Sequence, residues 1–82
     1  MGAGADFFET TVGSVTMRCD VLLGNVDLWA SGTGEVLACY AGIEDVRAGL
    51  EHWGSAEGER AADMRALLDA AVIAIEAESE AV

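Results

Sequence analysis

The sequence predicts an α+β domain, in which a small antiparallel sheet of three to four strands is followed by two helices. Two observations lead to this prediction. Apolar residues alternate with polar ones in the first half of the chain, and from residue 43 onward they recur at helical spacing. The length of 82 residues suits a single domain. We predict a β-meander over residues 1–42, followed by helices over residues 43–54 and 55–80.

The strand pattern is clearest at residues 15–23, where every second residue is apolar. Thr16, Arg18 and Asp20 occupy the other face, which indicates a strand with one face towards a core. Gly24 and Asn25 follow and suit a two-residue hairpin turn of type II′. The apolar positions of this strand are Val15, Met17, Cys19, Val21 and Leu23.

Two more strands follow this turn. Val26 and Leu28 alternate with Asp27 and Trp29, which predicts a strand with a single buried face. Residues 31–34 are rich in glycine and hydroxyl side chains and form a loop. Residues 36–41 then make the next strand.

The segment at residues 7–12 leaves two interpretations open. Its aromatic and β-branched residues favour a strand, which either turns at Gly13 and Ser14 as a fourth strand or extends the strand that follows. In both cases we expect Phe7 and Phe8 to lie in the core.

The period changes after Gly42. Glu44 and Asp45 lie in the first turn of the next element, where acidic side chains complement the helix dipole. One helical face is apolar at spacings of 3, 4 and 3 residues, and it consists of Ile43, Val46, Leu50 and Trp53. Gly54 ends this helix.

We expect Ser55 to be the N-cap of the second helix, with Glu57 and Glu59 in its opening turn. Alanine is frequent in the following residues and favours a helix. The apolar stripe of this second helix consists of Met64, Leu67, Leu68, Ala71, Val72 and Ile75.

Some apolar residues do not fit the predicted core. The alternation places Leu22 and Trp29 on the polar face of the sheet, and together with Leu37 they form a candidate apolar interface. The other interpretation is that both faces of the sheet are covered within one molecule. Because 52% of the residues are apolar in so short a chain, we expect a homodimer.

The charge is the second prominent property of the chain. It has 15 acidic residues and four arginines, no lysine, and a formal net charge of −11. Such a charge disfavours direct binding to nucleic acid or to an anionic membrane, and it favours a basic protein surface as partner. No signal peptide is predicted, because residues 1–6 lack a basic region and a sufficiently long apolar stretch. No membrane-spanning segment is predicted either, because the most apolar window, residues 61–75, is short and contains three charged residues. We therefore expect a cytoplasmic protein.

No pattern of catalytic or metal-binding residues is recognisable, and we predict a protein that is not an enzyme and has no cofactor or metal. The loop at residues 31–35 lacks the lysine of a phosphate-binding loop. Cys39 and His52 resemble a nucleophile and a base, but no basic residue activates the thiol, and we expect Cys39 to point inward. Cys19 and Cys39 are expected to be reduced and buried.

The acidic residues are the candidate partner-binding residues. We expect six of them to cluster around the turn between the helices: Glu44, Asp45, Glu51, Glu57, Glu59 and Asp63. The second predicted helix has a net charge of −5, or roughly one charge per 7 Å of helix axis. Duplex DNA has one charge per about 1.7 Å. Imitation of a duplex would therefore need both helices, the sheet edge or a dimer.

The order of these features resembles that of small acidic phage proteins that inhibit host defence, notably anti-CRISPR proteins. The resemblance covers about half of the chain: GEVLACYAG at residues 34–42, an acidic helix at residues 43–53, and then a helix rich in Glu and Ala around AEGER at residues 56–60. It implies a non-enzymatic inhibitor that occupies the basic nucleic-acid-binding surface of a CRISPR effector or another defence nuclease.

Three alternatives stay open. The first is a dimeric structural or regulatory accessory module that binds through apolar surface. The second is an antitoxin or immunity protein that neutralises a basic toxin. In the third, the acidic face serves solubility alone.

Overall fold

A computed structural model describes residues 7–80 and confirms the α+β fold. Four strands form one antiparallel sheet in the order β1-β2-β3-β4, and two helices follow. The elements are β1 Phe7–Val12, β2 Val15–Asp20, β3 Asn25–Ala30, β4 Val36–Ala41, α1 Ile43–Gly54 and α2 Glu59–Glu80. Residues 1–6 of the predicted meander and residues 81–82 lie outside the described part of the chain.

The N-terminal segment forms a separate strand, which decides between the two interpretations of residues 7–12. Val12 pairs with Val15 across a tight turn in which Gly13 has a φ of 60°. Phe8 packs against the core as expected. The expectation for Phe7 is wrong: adjacent strand residues point to opposite faces, and Phe7 is exposed on the other side of the sheet.

The predicted two-residue turn after β2 is also wrong. β2 ends at Asp20, and residues 21–24 form a four-residue loop before β3. The carboxylate of Asp20 accepts hydrogen bonds from the backbone N–H groups of Leu22 (3.1 Å) and Leu23 (3.0 Å). These bonds compete with continued strand pairing. Gly24 closes the loop with a φ of 78°, a conformation that glycine adopts at little cost.

β4 spans the predicted residues but contains an irregularity. Leu28 pairs with Ala38 and Trp29 with Val36, so Leu37 is an extra residue in a β-bulge. Beyond the bulge, Cys39 lies opposite Asp27 on the outer face and is exposed. The expectation that Cys39 points inward and is buried is therefore wrong.

The junction between the helices differs from the expectation at Ser55. α1 ends at Gly54 as predicted, but α2 begins only at Glu59. Ser55 is the C-cap of α1, and its hydroxyl donates a hydrogen bond to the carbonyl of His52 (3.0 Å). The side chain thus completes the preceding helix instead of starting the next one.

Both helices cover the same face of the sheet, which we call the inner face. The two helices together form the helical layer of the protein. The apolar stripes predicted for them point towards the inner face of the sheet, and Val46 of α1 is fully buried there. The core contains no buried polar or charged residue among the described ones. It consists of Val15, Met17, Cys19, Val26, Leu28, Val46, Met64, Leu67, Leu68, Ala71 and Ile75.

α1 lies close to β4 at one glycine. A Cβ atom at Gly49 would lie 2.5 Å from Cζ of Tyr40, so no larger residue fits there without movement of the ring. The ring is held by a hydrogen bond from Nε1 of Trp53 to the Tyr40 hydroxyl (3.1 Å). This contact fixes the helical layer on the sheet and so fixes the position of the surfaces described next.

Candidate protein-binding site

The two helices form an antiparallel pair with two distinct ends. Arg47 of α1 forms an ion pair with Glu76 of α2, which places the start of α1 beside the end of α2. The opposite end contains the connection at residues 55–58. We call the end with the Arg47–Glu76 ion pair the notch end, and the end with the connection between the helices the turn end.

An apolar notch of about 350 Å³ lies at the notch end. Its walls come from the β2–β3 loop, the start of α1 and the end of α2, and its apolar lining includes Ile43 and Ile75. Leu22 and Leu23 of the loop line it and are 57% and 68% exposed. A second depression of about 360 Å³ shares Ile43 and Ile75 and continues towards Arg47.

The loop that carries the two leucines is ordered by hydrogen bonds to and from its backbone groups. Asp20 holds the N–H groups of both leucines, and Gly24 donates its N–H to the carbonyl of Asp20 (2.8 Å). The carbonyl of Gly24 in turn accepts the N–H of Gly42 (3.0 Å), just before α1. The leucines are thus presented by a closed turn that is attached to the start of the helical layer.

The surroundings of the notch are acidic. Glu78 lines the notch, and Glu76 and Glu80 line the adjoining depression. Glu44 and Asp45 lie in the first turn of α1 at the same end. Arg47 is the one cation among the lining residues of the two depressions, and it is paired with Glu76.

The six predicted partner-binding acids do not form one cluster. Glu51, Glu57 and Glu59 are exposed at the turn end, as expected. The expectation is wrong for Glu44 and Asp45, which lie about ten residues earlier in α1, or roughly 15 Å along the helix axis. They belong to the notch end instead.

Asp63 differs from the other five acids. It is half-buried and packs over the β1–β2 turn, where its carboxylate lies beside Gly13. The backbone N–H of Ser14 donates a hydrogen bond to it (3.4 Å). Asp63 therefore contacts the sheet and is less available to a partner than the acids of the turn end.

The three predicted apolar interface residues do not share a surface either. Leu22 lies in the loop and not on a strand face, and Leu37 is half-buried at the bulge and packs against the core. Trp29 does lie on the outer face, half-buried and opposite the exposed Val36. Sequence reasoning missed Leu23, although Asp20 followed by Gly24 is a turn signal that would have placed both leucines outside the strand.

The outer face of the sheet is not covered by either helix in the described part of the chain. Arg18 lies at its centre, between Glu9 on one neighbouring strand and Asp27 on the other. Its guanidinium stacks over the ring of Phe7 at 4.1 Å, which shields the exposed ring. A shallow depression of about 230 Å³ beside them is lined mainly by polar residues.

Both thiols are held in the protonated form at neutral pH. Burial, reinforced by the charge of Asp20, raises the pKa of Cys19 to about 11. A hydrogen bond with Asp27 raises the pKa of Cys39. Partial burial of the thiol and the negative charge of Asp27 raise this pKa further. Neither cysteine has the lowered pKa of an activated nucleophile. His52 lies on α1, with its ring edge-on to Trp53 at 5.4 Å.

Between Phe7 and Glu80, no three His, Cys, Asp or Glu side chains are arranged so that they could hold a metal ion. Across the same residues, neither helix combines the length and the apolar character needed to cross a membrane. No protein-family model, no curated protein and no solved structure matches this chain.

Proposed function

We propose that this protein is a non-enzymatic inhibitor that binds a basic protein surface through its acidic helical layer. The class of partner is the nucleic-acid-binding surface of a CRISPR effector or of another defence nuclease. The observation that carries the proposal is the excess of exposed carboxylates on the helical layer, whose arginines are largely engaged within the fold.

From residue 44 onward the chain has ten acids and three arginines. Arg47 is paired with Glu76. Arg65 donates hydrogen bonds from Nη1 to the carbonyls of Trp53 (2.9 Å) and Ala56 (3.0 Å), where it ties the end of α1 and the connection to α2 instead of pairing with an acid. Arg60 is exposed at the start of α2. The surface potential of the helical layer is therefore strongly negative.

Exposed carboxylates can take the place of phosphates on a surface rich in lysine and arginine. Charge-assisted hydrogen bonds from guanidinium or ammonium groups to carboxylates are among the strongest in proteins. Complementary charge also accelerates association and selects the partner. We assign the contacts to Glu51, Glu57 and Glu59 at the turn end, and to Glu44 and Asp45 at the notch end.

Charge reversal at the turn end tests this assignment. The variant Glu57→Lys with Glu59→Lys is compared with Glu9→Lys with Glu35→Lys, which makes the same charge change in β1 and in the loop just before β4. Purified defence nucleases are incubated with each variant, and inhibition of DNA cleavage is measured. We expect the first variant to lose inhibition and the second to keep most of it.

Equal loss in both variants would mean that net charge acts without a defined face, and full inhibition by both would contradict the proposal. Raising the salt concentration from about 0.1 M to about 1 M shortens the Debye length from about 10 Å to about 3 Å. Direct binding of the unmodified protein to the nuclease, measured without DNA, should weaken steeply over this range. The same charge logic fits an antitoxin or immunity protein, in which case the partner would be a basic toxin.

A dimeric accessory module is the second candidate, and the exposed Leu22 and Leu23 favour it because leucine pairs in solvent are typical of contact surfaces. Light scattering separates the two. A dimer that persists at high salt and dissociates in the variant Leu22→Ser with Leu23→Ser would favour the accessory module. A protein that is monomeric at both low and high salt would exclude the dimeric accessory module.

A further inference from the structure

We propose that the notch is the docking site for a segment of the partner protein that presents apolar side chains flanked by lysine or arginine. The inference rests on the proposed function, and it names the part of the partner that would be recognised. It is carried by three properties of the notch: exposed leucines, an ordered loop and an acidic rim.

At the notch end, part of the apolar surface is left exposed to solvent. Leu22 and Leu23 are both more than half exposed, although they lie beside Ile43 and Ile75, which are largely shielded. Four-residue hairpin loops usually carry polar residues, and two adjacent leucines in one are unfavourable for solubility unless they are covered. Their burial by a partner would supply the apolar centre of an interface.

The loop is prepared for such a contact. Asp20 accepts the N–H groups of both leucines, and Gly24 is attached to Gly42 by a hydrogen bond of 3.0 Å. A loop that is already ordered loses little conformational entropy when a partner binds. The two side chains can therefore act as fixed anchors.

Charge decides which occupant fits. Glu78 lies in the wall of the notch, and Glu80 borders the adjoining depression. A second copy of this chain would bring the same acids and a further net charge of −11 against this rim, and an anionic membrane would be repelled in the same way. A segment with apolar side chains between cationic ones would satisfy both the leucines and the rim.

Three synthetic peptides of equal length test the inference. The first is an amphipathic helix of leucine and lysine, the second has serine in place of each leucine, and the third has glutamate in place of each lysine. Binding is followed by NMR with the ¹⁵N-labelled protein, which reports the affinity and the residues contacted. The test variant is Leu22→Ser with Leu23→Ser, and the control is Ile73→Ser, a residue of similar exposure on α2.

The expected result is that the leucine–lysine peptide binds and shifts the resonances of residues 21–24, Ile43 and residues 75–79. The double serine variant should weaken this binding about tenfold or more, the loss expected when an apolar anchor is removed. Ile73→Ser should bind like the unmodified protein, and the glutamate peptide should not bind.

Two results would overturn the inference in different ways. If the serine–lysine peptide binds as tightly as the leucine–lysine peptide and the double variant changes nothing, the acidic surface binds basic segments without the notch. The proposed function would then stand and the notch would not be its docking site. If neither lysine peptide binds at low salt, both the notch and the acidic surface fail as sites for a basic partner.

Discussion

At the turn end of the helical pair, polar groups are used to complete the fold, whereas at the notch end apolar groups are left without cover. Arg65 donates hydrogen bonds to one carbonyl in the last turn of α1 and to one in the connection, and Ser55 caps α1. At the other end the carboxylate of Asp20 accepts the N–H groups of Leu22 and Leu23, whose side chains are exposed to solvent. Both ends are acidic, but only one combines acids with exposed leucines.

The difference indicates that the two ends would contribute to binding in different ways. Acids at the turn end would contact a basic partner through charge alone, an interaction that salt weakens. Acids around the notch surround an apolar centre, which is the arrangement of a specific interface. Changes at the two ends should therefore have different consequences for stability and for binding, and unfolding measurements on variants of both ends test this for stability.

The largest expected effect on stability comes from truncation of buried side chains at the two ends. We expect Met64→Ala, near the turn end, to reduce the free energy of unfolding by about 3 kcal/mol. Ile75→Ala should cost less, about 2 kcal/mol, because Ile75 borders the open notch and its site can relax or admit water. Urea unfolding measures both, and a larger loss for Ile75→Ala would show that the notch end is packed as tightly as the turn end.

Arg65 is the next largest contributor. We expect Arg65→Met to reduce the free energy of unfolding by about 2 kcal/mol, since two hydrogen bonds from a charged donor to the carbonyls of Trp53 and Ala56 are lost. Arg60→Met is the matched control on the exposed face, with a change of about 0.5 kcal/mol or less. Similar values for the two variants would show that the turn end does not depend on Arg65.

The pH dependence of stability tests the core beneath the notch, where Cys19 is the last inward residue of β2. Its pKa is raised to about 11 in the folded protein, from 9.0 for an unperturbed thiol. Its contribution is therefore complete below pH 9 and is lost as the unfolded chain ionises above that pH. The expected loss is about 1.4 kcal/mol at pH 10.

The control for this prediction is Cys19→Ala, which should remove that part of the decrease. The two proteins are compared by urea unfolding between about pH 8 and about pH 10, conditions that bracket an ordinary thiol pKa. If the unmodified protein and the variant lose stability in parallel, the thiol is not buried as described.

The smallest expected effect concerns Asp20. Asp20→Ala should reduce the free energy of unfolding by about 1 kcal/mol, because the loop loses the acceptor for two N–H groups. Asp20→Asn retains an oxygen acceptor and should lose less than half of that. If binding of the leucine–lysine peptide weakens in Asp20→Ala more than in Asp20→Asn, the order of the loop contributes to recognition.

Much of the fold follows from periodicity. The spacing of Ile43, Val46, Leu50 and Trp53 predicts α1 with its observed bounds, and residues 36–41 form a strand as expected. Alternation does not determine where pairing stops or shifts. The apolar Val21 and Leu23 continue the pattern of β2, but the carboxylate of Asp20 ends the strand, and the bulge at Leu37 changes the phase of β4.

The candidate site was less predictable for a similar reason. The composition predicts that many acids are exposed, but which of them lie close together depends on how α1 and α2 pack. Glu44 and Glu78 are 34 residues apart in sequence and lie at the same end of the helical pair. The notch itself needs three elements to come together, and no local pattern reports that.

Affinity capture from host lysate tests whether this chain binds a basic partner through its acidic helical layer. The unmodified protein and the variant Glu57→Lys with Glu59→Lys serve as baits, and the columns are washed at about 0.1 M and then at about 1 M salt. We predict that a nucleic-acid-binding protein is retained by the unmodified bait at low salt, is released at high salt and is absent from the variant. Recovery of the bait alone, or of a partner that both baits retain at high salt, would show that the acidic helical layer does not bind a basic partner.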